Sequence, residues 1–159
     1  MDRVPHLSHD PLCVVLTGST GTLGTNLLQA LLEDPKVSKV YCLNRAADAR
    51  QRHEKSFSRR GVKYHLENVE FLKADFGHPQ FALPSNKFTE LMNEVNIIIH
   101  NAWKVDFNHS LDSFEAVHIR GVRNFVDWSI VSKQHPHIFF VSSISSVGNW
   151  TAHHKGPVP

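Results

Sequence analysis

The segment best suited to chemistry is a glycine-rich turn near the N-terminus. Residues 14–24 read Val-Val-Leu-Thr-Gly-Ser-Thr-Gly-Thr-Leu-Gly, an apolar run followed by three glycines at three-residue spacing. A turn of this kind lets the backbone approach a pyrophosphate, and the N-terminus of the helix that follows it favours bound phosphate. The alternative is a plain strand-turn-helix. With a strand before it and a helix after it, the turn predicts dinucleotide contacts from Gly18, Ser19, Thr20, Gly21, Thr22, Leu23 and Gly24.

An arginine follows the second apolar strand, where such sites contact the cofactor ribose. Arg45 lies about twenty residues after the last glycine, in the segment Leu43-Asn44-Arg45. An acidic residue here would favour NAD, whereas a guanidinium can pair with the 2′-phosphate of NADP. The sequence therefore predicts NADPH as the cofactor, with Arg52 as a second candidate phosphate contact. A surface arginine without a ligand is the alternative.

Polar and small residues follow the next two strands. Asp75 is predicted either to accept a hydrogen bond from the adenine amino group, with Phe76 packed nearby, or to cap the turn after its own strand. Asn101 is expected to tie adjacent strands together. Ala102 is small enough to let the backbone pass close to the cofactor ribose. These four residues complete the predicted cofactor site.

Four hydroxyl groups lie just after the fifth strand, in the segment Ser142-Ser-Ile-Ser-Ser146. Hydroxyls at the carboxyl end of a strand, beside a cofactor, are suited to holding a substrate carbonyl by hydrogen bonds. A serine-rich turn with no such role is an equal alternative on this pattern alone.

The elements that must position these residues alternate regularly between strand and helix. Apolar periodicity and turn residues predict strands over residues 12–17, 39–43, 69–74, 95–100 and 137–142, and helices over residues 22–33, 46–60, 84–93 and 110–133. Such alternation implies right-handed crossovers and a parallel sheet covered on both faces. The expected fold class is α/β, a Rossmann-type doubly wound parallel sheet truncated after the fifth strand. Residues 1–10 are expected to be a polar lead-in and residues 11–159 an incomplete NADP-binding domain.

Composition excludes several other classes of function. The chain has 159 residues, 41% of them hydrophobic, and a formal net charge of +2 without a basic tract, so neither nucleic acid nor a membrane is an expected partner. A cytoplasmic location is expected. The two cysteines, Cys13 and Cys42, fall in predicted strands and are interpreted as reduced core thiols. The twelve histidines lack structural-zinc spacing, so no metal site is predicted.

Taken together, these motifs resemble the extended short-chain dehydrogenase/reductase superfamily. The segments that carry the resemblance are the glycine turn, Cys-Leu-Asn-Arg-Ala, Ala-Asp-Phe, His-Asn-Ala-Trp-Lys-Val-Asp-Phe-Asn and Phe-Val-Ser-Ser-Ile-Ser. Within that superfamily the chain is most similar to the thioester reductase domains of nonribosomal peptide synthetases, polyketide synthases and aminoadipate or carboxylic acid reductases. The resemblance extends from Leu12 to Trp150.

The resemblance implies a reaction and a set of roles. In that family NADPH delivers hydride to a thioester on the phosphopantetheine arm of a carrier protein, which releases an aldehyde or, after a second round, an alcohol. A hydroxyl residue orients the carbonyl, a Tyr donates a proton and a Lys lowers the pKa of that Tyr. On this pattern Ser143 occupies the hydroxyl position, with Ser142 and Ser145 as lesser choices.

The chain departs from the family pattern at two points. Tyr-x-x-x-Lys is absent, because Tyr41 and Tyr64 are followed four residues later by Arg45 and Asn68. His118 stands where relatives usually have Asn. The expectation is therefore the NADPH-binding portion of such a reductase, with a partner chain covering exposed core. A related ketone or acyl-CoA oxidoreductase fragment and a non-catalytic NADP-binding module are the alternatives.

Overall fold

The computed structural model describes residues 11–61, 63, 65–103, 110 and 112–157. The strands are β1 (Leu12–Thr17), β2 (Val37–Asn44), β3 (Val69–Lys73), β4 (Ile97–His100) and β5 (His137–Phe140). The helices are α1 (Thr22–Glu33), α2 (Ala49–Arg59), α3 (Ser85–Glu94), α4 (Asp112–Phe114), α5 (Arg120–Val131) and α6 (Trp150–His153). A π-helical turn (Glu115–Ile119) joins α4 to α5, and 3₁₀ turns span Pro79–Ala82 and Ile144–Val147.

The five strands form one parallel sheet in the order β3-β2-β1-β4-β5. This order confirms the predicted Rossmann-type fold. The direction of winding reverses between β1 and β4, so the crevice beyond their carboxyl ends is the expected ligand position. Thr17 at the end of β1 pairs in register with Leu43 of β2 and His100 of β4, which aligns the carboxyl ends of the three central strands.

Both faces of the central strand β1 are buried, because its neighbouring residues pack into different clusters. Val15 belongs to a core shared with α3 and α5, where Phe81, Phe125 and Trp128 pack together. Leu16 packs on the opposite side with Leu28 and other apolar residues. The continuous apolar run of β1 therefore marks a strand with no solvent-facing side.

The two cysteines are buried and not bridged to each other, as expected for core thiols. Burial raises the pKa of the Cys13 thiol to about 12 and that of the Cys42 thiol to about 12, so both stay protonated. Among the described residues no group of three or more His, Cys, Asp or Glu is arranged to hold a metal ion. Within the same part of the chain, none of the helices has the length and apolar character needed to cross a bilayer.

The bounds of β1 and α1 agree with the prediction, whereas the predicted bounds of other elements differ from the observed ones. The second helix begins at Ala49 instead of residue 46, because Asp48 adopts a non-helical backbone and pairs with Arg52 one turn later. β4 begins at Ile97 rather than residue 95, since the side chain of Asn96 accepts a hydrogen bond from Cys13 N–H. β5 ends at Phe140 rather than residue 142.

Two features have no counterpart in the prediction. The helix expected over residues 110–133 is interrupted by the π-helical turn, and it ends at Val131. Between β3 and α3, residues Gln80, Phe81 and Ala82 adopt left-handed backbone angles that carry Phe81 into the core. Neither feature has a glycine or proline signal strong enough to be found from the sequence.

Apolar side chains are exposed along one side of the molecule, on and beside β5. Phe139 and Phe140 are exposed even though they point to opposite faces of the sheet, and Ile130 and Val131 are exposed at the end of α5. This is the kind of apolar surface that the sequence led us to expect a partner chain to cover.

Candidate functional site

A pocket of about 590 Å³ opens at the carboxyl ends of the strands, at the point where the strand order reverses. This is the position at which doubly wound sheets bind ligands. One wall is the glycine turn after β1, and a second is the end of β2 with the start of α2. The third wall consists of the segments after β3 and β4 together with the π-helical turn. The lining residues are Gly18, Thr20, Gly21, Leu43, Asn44, Arg45, Ala46, Arg52, Phe76, Asn101, Ala102, Trp103, Val117 and His118.

The glycine turn is tightly packed. Gly18 has a φ of 65°, in the left-handed region, and a Cβ there would lie 2.9 Å from Ala102 Cα. A Cβ on Gly24 would overlap the backbone oxygen of Gly18 and lie 2.8 Å from Ser19 Cα. The outer glycines therefore let the turn fit against β4 and α1.

Gly21 is the residue that leaves the pocket open. It precedes α1 as its N-cap, and a Cβ at this position would meet protein only at Gly18 O, 3.6 Å away. Among the described residues no side chain caps the helix, and its first turn contains no acidic residue. The first N–H groups of α1 and the positive end of its dipole are thus available to an anionic ligand.

Two arginines line the opposite wall, and they differ in how they are engaged. Arg52 donates to Asp48 at 3.0 Å, as an i,i+4 ion pair on the surface of α2. Arg45 is exposed and has no hydrogen-bond or ion-pair partner within the described part of the chain. The guanidinium of Arg45 can therefore bind a ligand anion without first breaking an ion pair.

Thr17 is the hub that joins β1 to the segment after β4. Its Oγ1 accepts from Asn101 N–H at 3.1 Å and from Ala102 N–H at 2.9 Å, and lies 2.9 Å from His100 Nδ1. The other ring nitrogen of His100, Nε2, is buried and has no hydrogen-bond partner within the described residues. Burial, with a smaller contribution from the charge of His118, lowers the pKa of His100 to about 4, so this imidazole is neutral at physiological pH.

Asn101 has the strand-tying role that the sequence predicted. Its Nδ2 donates to Gly18 O at 3.2 Å, which fixes the glycine turn of β1 to the end of β4. Ala102 lies directly against Gly18, where a larger side chain would compete for the same space. Both residues line the pocket, and both hold the backbone of the glycine turn close to the end of β4.

Aromatic rings form the far wall. Phe76 is buried and meets His100 edge to face, with ring centroids 5.7 Å apart. Trp103 is 44% exposed, stacks on Phe114 and lies 4.8 Å from the ring of His118. His118 belongs to the π-helical turn, which is a common location for functional residues.

Several residues predicted for the site lie outside the pocket lining. Ser19 is buried, and its hydroxyl faces Asn44 and His53 instead of the cavity. Thr22 and Leu23 are exposed in the first turn of α1 and do not line the pocket. Asp75 accepts from Gly77 N–H at 3.0 Å, so it makes the turn-capping interaction that was the alternative to adenine recognition.

Ser143 lies three residues beyond the end of β5 and is not part of the pocket lining. It is exposed, and its backbone oxygen accepts from the hydroxyl of Ser146 at 2.7 Å. Ser143 follows β5, which pairs with β4, so it lies at the carboxyl edge of the sheet, and its role in orienting a carbonyl stays a prediction. The side chain of Ser145, a lesser choice, lies outside the described residues, as does all of Tyr64.

Sequence reasoning did not assign six residues of the lining to the site: Leu43, Asn44, Ala46, Trp103, Val117 and His118. Asn44 and Ala46 flank Arg45, so their proximity follows from it. Val117 and His118 enter through the π-helical turn, whose extra residue per turn is not signalled in the sequence. Trp103 follows Ala102, and its ring marked only the resemblance.

Tyr41 occupies a different environment from the pocket. Its hydroxyl lies 2.6 Å from Glu90 Oε1 and 2.7 Å from Glu94 Oε2, and the ring is fully buried. Burial and these two carboxylates raise the pKa of Tyr41 well above its usual value. Tyr41 is thus a structural hydrogen-bond donor between β2 and α3.

Comparison with known proteins agrees with this geometry. The chain is 41% identical over 137 residues to a carboxylic acid reductase from Neurospora crassa, covering 86% of this chain and 13% of that protein. It is 38% identical over 160 residues to the adenylate-forming reductase Nps11 from Serpula lacrymans, covering 95% of this chain and 14% of that protein. The chain therefore spans a small part of the length of these relatives.

A solved structure has the same fold. The terminal R domain from the myxalamid PKS-NRPS biosynthetic pathway superposes with a TM-score of 0.74 at 25% identity, over 86% of this chain and 35% of that chain. The family model described as Male sterility protein, an NAD-binding domain, matches residues 16–157. Because that match covers most of the chain, including the glycine turn and the whole sheet beyond it, the protein belongs to this NAD(P)-binding domain family.

Proposed function

We propose that the chain binds NADP(H) in the pocket at the switch point and is the cofactor-binding part of a reductase that acts on carrier-bound thioesters. The observation that carries this proposal is the pairing of an uncapped helix N-terminus with Arg45 across one pocket. The first suits a pyrophosphate and the second a 2′-phosphate. An NAD-specific site would instead be expected to have a carboxylate after β2.

The residues present fit such a cofactor. The backbone of Gly18, Thr20 and Gly21 would face the pyrophosphate, and Arg45 the 2′-phosphate, with Arg52 beside it. Asn101 and Ala102 would bound the nicotinamide ribose, close to Trp103. NADPH, when bound, supplies a hydride to the substrate carbonyl. The part of this chain is to hold the dinucleotide in one orientation and to keep the turn and the strand ends in register.

The proposed substrate is an acyl thioester carried on the phosphopantetheine arm of a carrier protein, reduced to an aldehyde or alcohol in secondary metabolism. Support comes from the similarity to a carboxylic acid reductase, an adenylate-forming reductase and a PKS-NRPS R domain. Ser143 is proposed to orient the thioester carbonyl from the end of β5. NADPH-dependent reduction of this kind is consistent with a cytoplasmic location, which we also propose.

The alternative is a module that binds NADP(H) without turnover. Tyr41, held between Glu90 and Glu94, is not placed to donate a proton in the pocket. Within the described residues, therefore, no tyrosine is placed to donate the proton that reduction requires. The two possibilities share the same cofactor site, so cofactor binding is the first property to test.

The test is a calorimetric titration of the chain with NADPH and NADH, repeated on Arg45→Ala. We expect NADPH to bind at least about tenfold more tightly than NADH, and Arg45→Ala to remove about 1.4 kcal/mol or more of that difference. The matched control is Arg123→Ala, which removes an exposed arginine of α5 paired with Asp127. Equal affinity for the two nucleotides in the wild-type chain would contradict the proposed NADP preference.

A further inference from the structure

A buried histidine joins the three segments that form the phosphate side of the pocket. His53 is on α2 and is 1% exposed, with its Nε2 3.0 Å from Ser19 Oγ. The same oxygen lies 3.0 Å from Asn44 Nδ2 and 3.2 Å from Asn44 Oδ1. Ser19 and Asn44 are also buried. One hydroxyl therefore connects the glycine turn, the end of β2 and helix α2.

Each member of this network is adjacent in sequence to residues that line the pocket. Ser19 lies between Gly18 and Thr20, Asn44 precedes Arg45, and His53 follows Arg52. Ser19 and His53 therefore lie behind the pocket wall, whereas Asn44 also belongs to the lining. The hydrogen bonds of this network connect the turn proposed to hold the pyrophosphate with the segments that carry the arginines proposed to hold the 2′-phosphate.

The orientation of the His53 ring is fixed by its neighbours. Phe57 and Phe71 pack against it, with ring centroids 5.7 Å and 5.4 Å away. Within the described residues His53 Nδ1 has no hydrogen-bond partner. A buried N–H without an acceptor is more costly than an unpaired ring nitrogen, so the proton belongs on Nε2, where it is donated to Ser19. The hydroxyl of Ser19 then donates to Asn44 Oδ1.

We infer that His53 is a positioning residue for the cofactor, because its hydrogen bond to Ser19 sets the spacing between the glycine turn and Arg45. At this spacing the pyrophosphate and the 2′-phosphate of one NADP(H) molecule are held at the same time. This inference rests on the proposed NADP(H) site. His53 does not touch the ligand. Its effect should therefore appear with a ligand that spans both ends of the pocket, and not with one that uses a single end.

The test compares two ligands on variants of His53. NADPH has both the pyrophosphate and the 2′-phosphate, whereas adenosine 2′-monophosphate has only the latter. For His53→Phe, which keeps a ring without a donor, we expect the dissociation constant for NADPH to rise about tenfold, and that for adenosine 2′-monophosphate to change less than about twofold. For His53→Gln, whose amide can donate to Ser19, we expect most of the NADPH affinity to return.

Three further variants separate an effect on cofactor positioning from an effect on folding. Ser19→Ala should weaken NADPH binding at least as much as His53→Phe, because it removes the hydrogen bonds of Ser19 to both His53 and Asn44. The double variant should bind NADPH no more weakly than Ser19→Ala alone, because the hydrogen bond between His53 and Ser19 is already lost in that single variant. Phe57→Leu is the matched control on α2, since it loosens the packing of the His53 ring without removing the donor. It should lower the melting temperature and leave NADPH affinity unchanged.

The outcomes distinguish the inference from the proposed function. If the wild-type chain fails to bind NADPH, the proposed cofactor site is wrong and the inference falls with it. If the wild-type chain binds NADPH and the folded His53→Phe variant binds it equally well, the positioning role alone is wrong. Equal weakening of both ligands, or the same loss in Phe57→Leu, would also overturn the positioning role.

Discussion

At the scale of single residues, two buried hydroxyl groups connect the segments that form the pocket. Thr17 and Ser19 are both fully buried, and each connects the glycine-turn strand to a neighbouring segment. The hydroxyl of Thr17 satisfies two backbone N–H groups that would otherwise lack an acceptor within the described residues. Buried donors left without a partner are costly, so this hydroxyl contributes more than its size suggests.

Replacing Thr17 tests that contribution. Thr17→Val keeps the volume and the β-branch but leaves the N–H groups of Asn101 and Ala102 without their acceptor, so we expect a loss of about 2–3 kcal/mol in the free energy of unfolding. Thr17→Ser keeps the hydroxyl and loses a buried methyl group, at about 1 kcal/mol. Urea denaturation measures both. A more stable Thr17→Val than Thr17→Ser would contradict this account.

The sequence was informative about residue types and less so about side-chain direction. Gly18, Gly21 and Arg45 line the pocket as their spacing led us to expect. Ser19 belongs to the same turn, but its side chain points into the core, because His53 and Asn44 provide partners that lie far away in sequence. Long-range partners of this kind have no local signature. Whether these residues contact a cofactor stays a prediction.

At the scale of elements, the turn and helix α1 act as one unit through Gly24. This residue is inside a helix, where alanine is ordinarily favoured by about 1 kcal/mol. A Cβ at this position would overlap Gly18 O and crowd Ser19 Cα at 2.8 Å. Both of these are backbone atoms, which have little freedom to move. The close packing of the helix on the turn should therefore reverse the usual preference.

We expect Gly24→Ala to destabilise the chain by about 1–3 kcal/mol, the usual cost of overpacking. Gly21→Ala is the control, because its Cβ would lie at an ordinary 3.6 Å from Gly18 O and its backbone suits alanine. That variant should lose less than about 1 kcal/mol. Thermal or urea unfolding of both proteins checks the difference, and a stabilised Gly24→Ala would show that the helix does not pack as described.

Predictability also differed among elements. The bounds of β1 and α1 followed from an apolar run, a glycine turn and Asp34-Pro35, which are all local signals. The π-helical turn and the left-handed turn at Gln80–Ala82 did not, because tertiary packing of His118 and Phe81 determines them. Local sequence therefore predicted the elements next to the glycine turn best, and the aromatic wall of the pocket least.

At the scale of the whole molecule, strand order decides where function can lie. The order β3-β2-β1-β4-β5 brings residues from separate parts of the chain to one edge of the sheet, around a pocket of about 590 Å³. The sequence predicted this edge because alternating strands and helices allow few arrangements. Exposed Phe139 and Phe140 lie at the β5 side of the same sheet.

An NMR titration of the isotope-labelled chain with NADPH, with amide shifts assigned by residue, would locate the bound dinucleotide on the structure. We expect the largest shifts at the amides of Gly18, Gly21, Thr22, Arg45 and Ala102, with small shifts at the exposed surface of α5. Shifts confined to other parts of the chain, or none at millimolar NADPH, would contradict the claim that this pocket is a dinucleotide site.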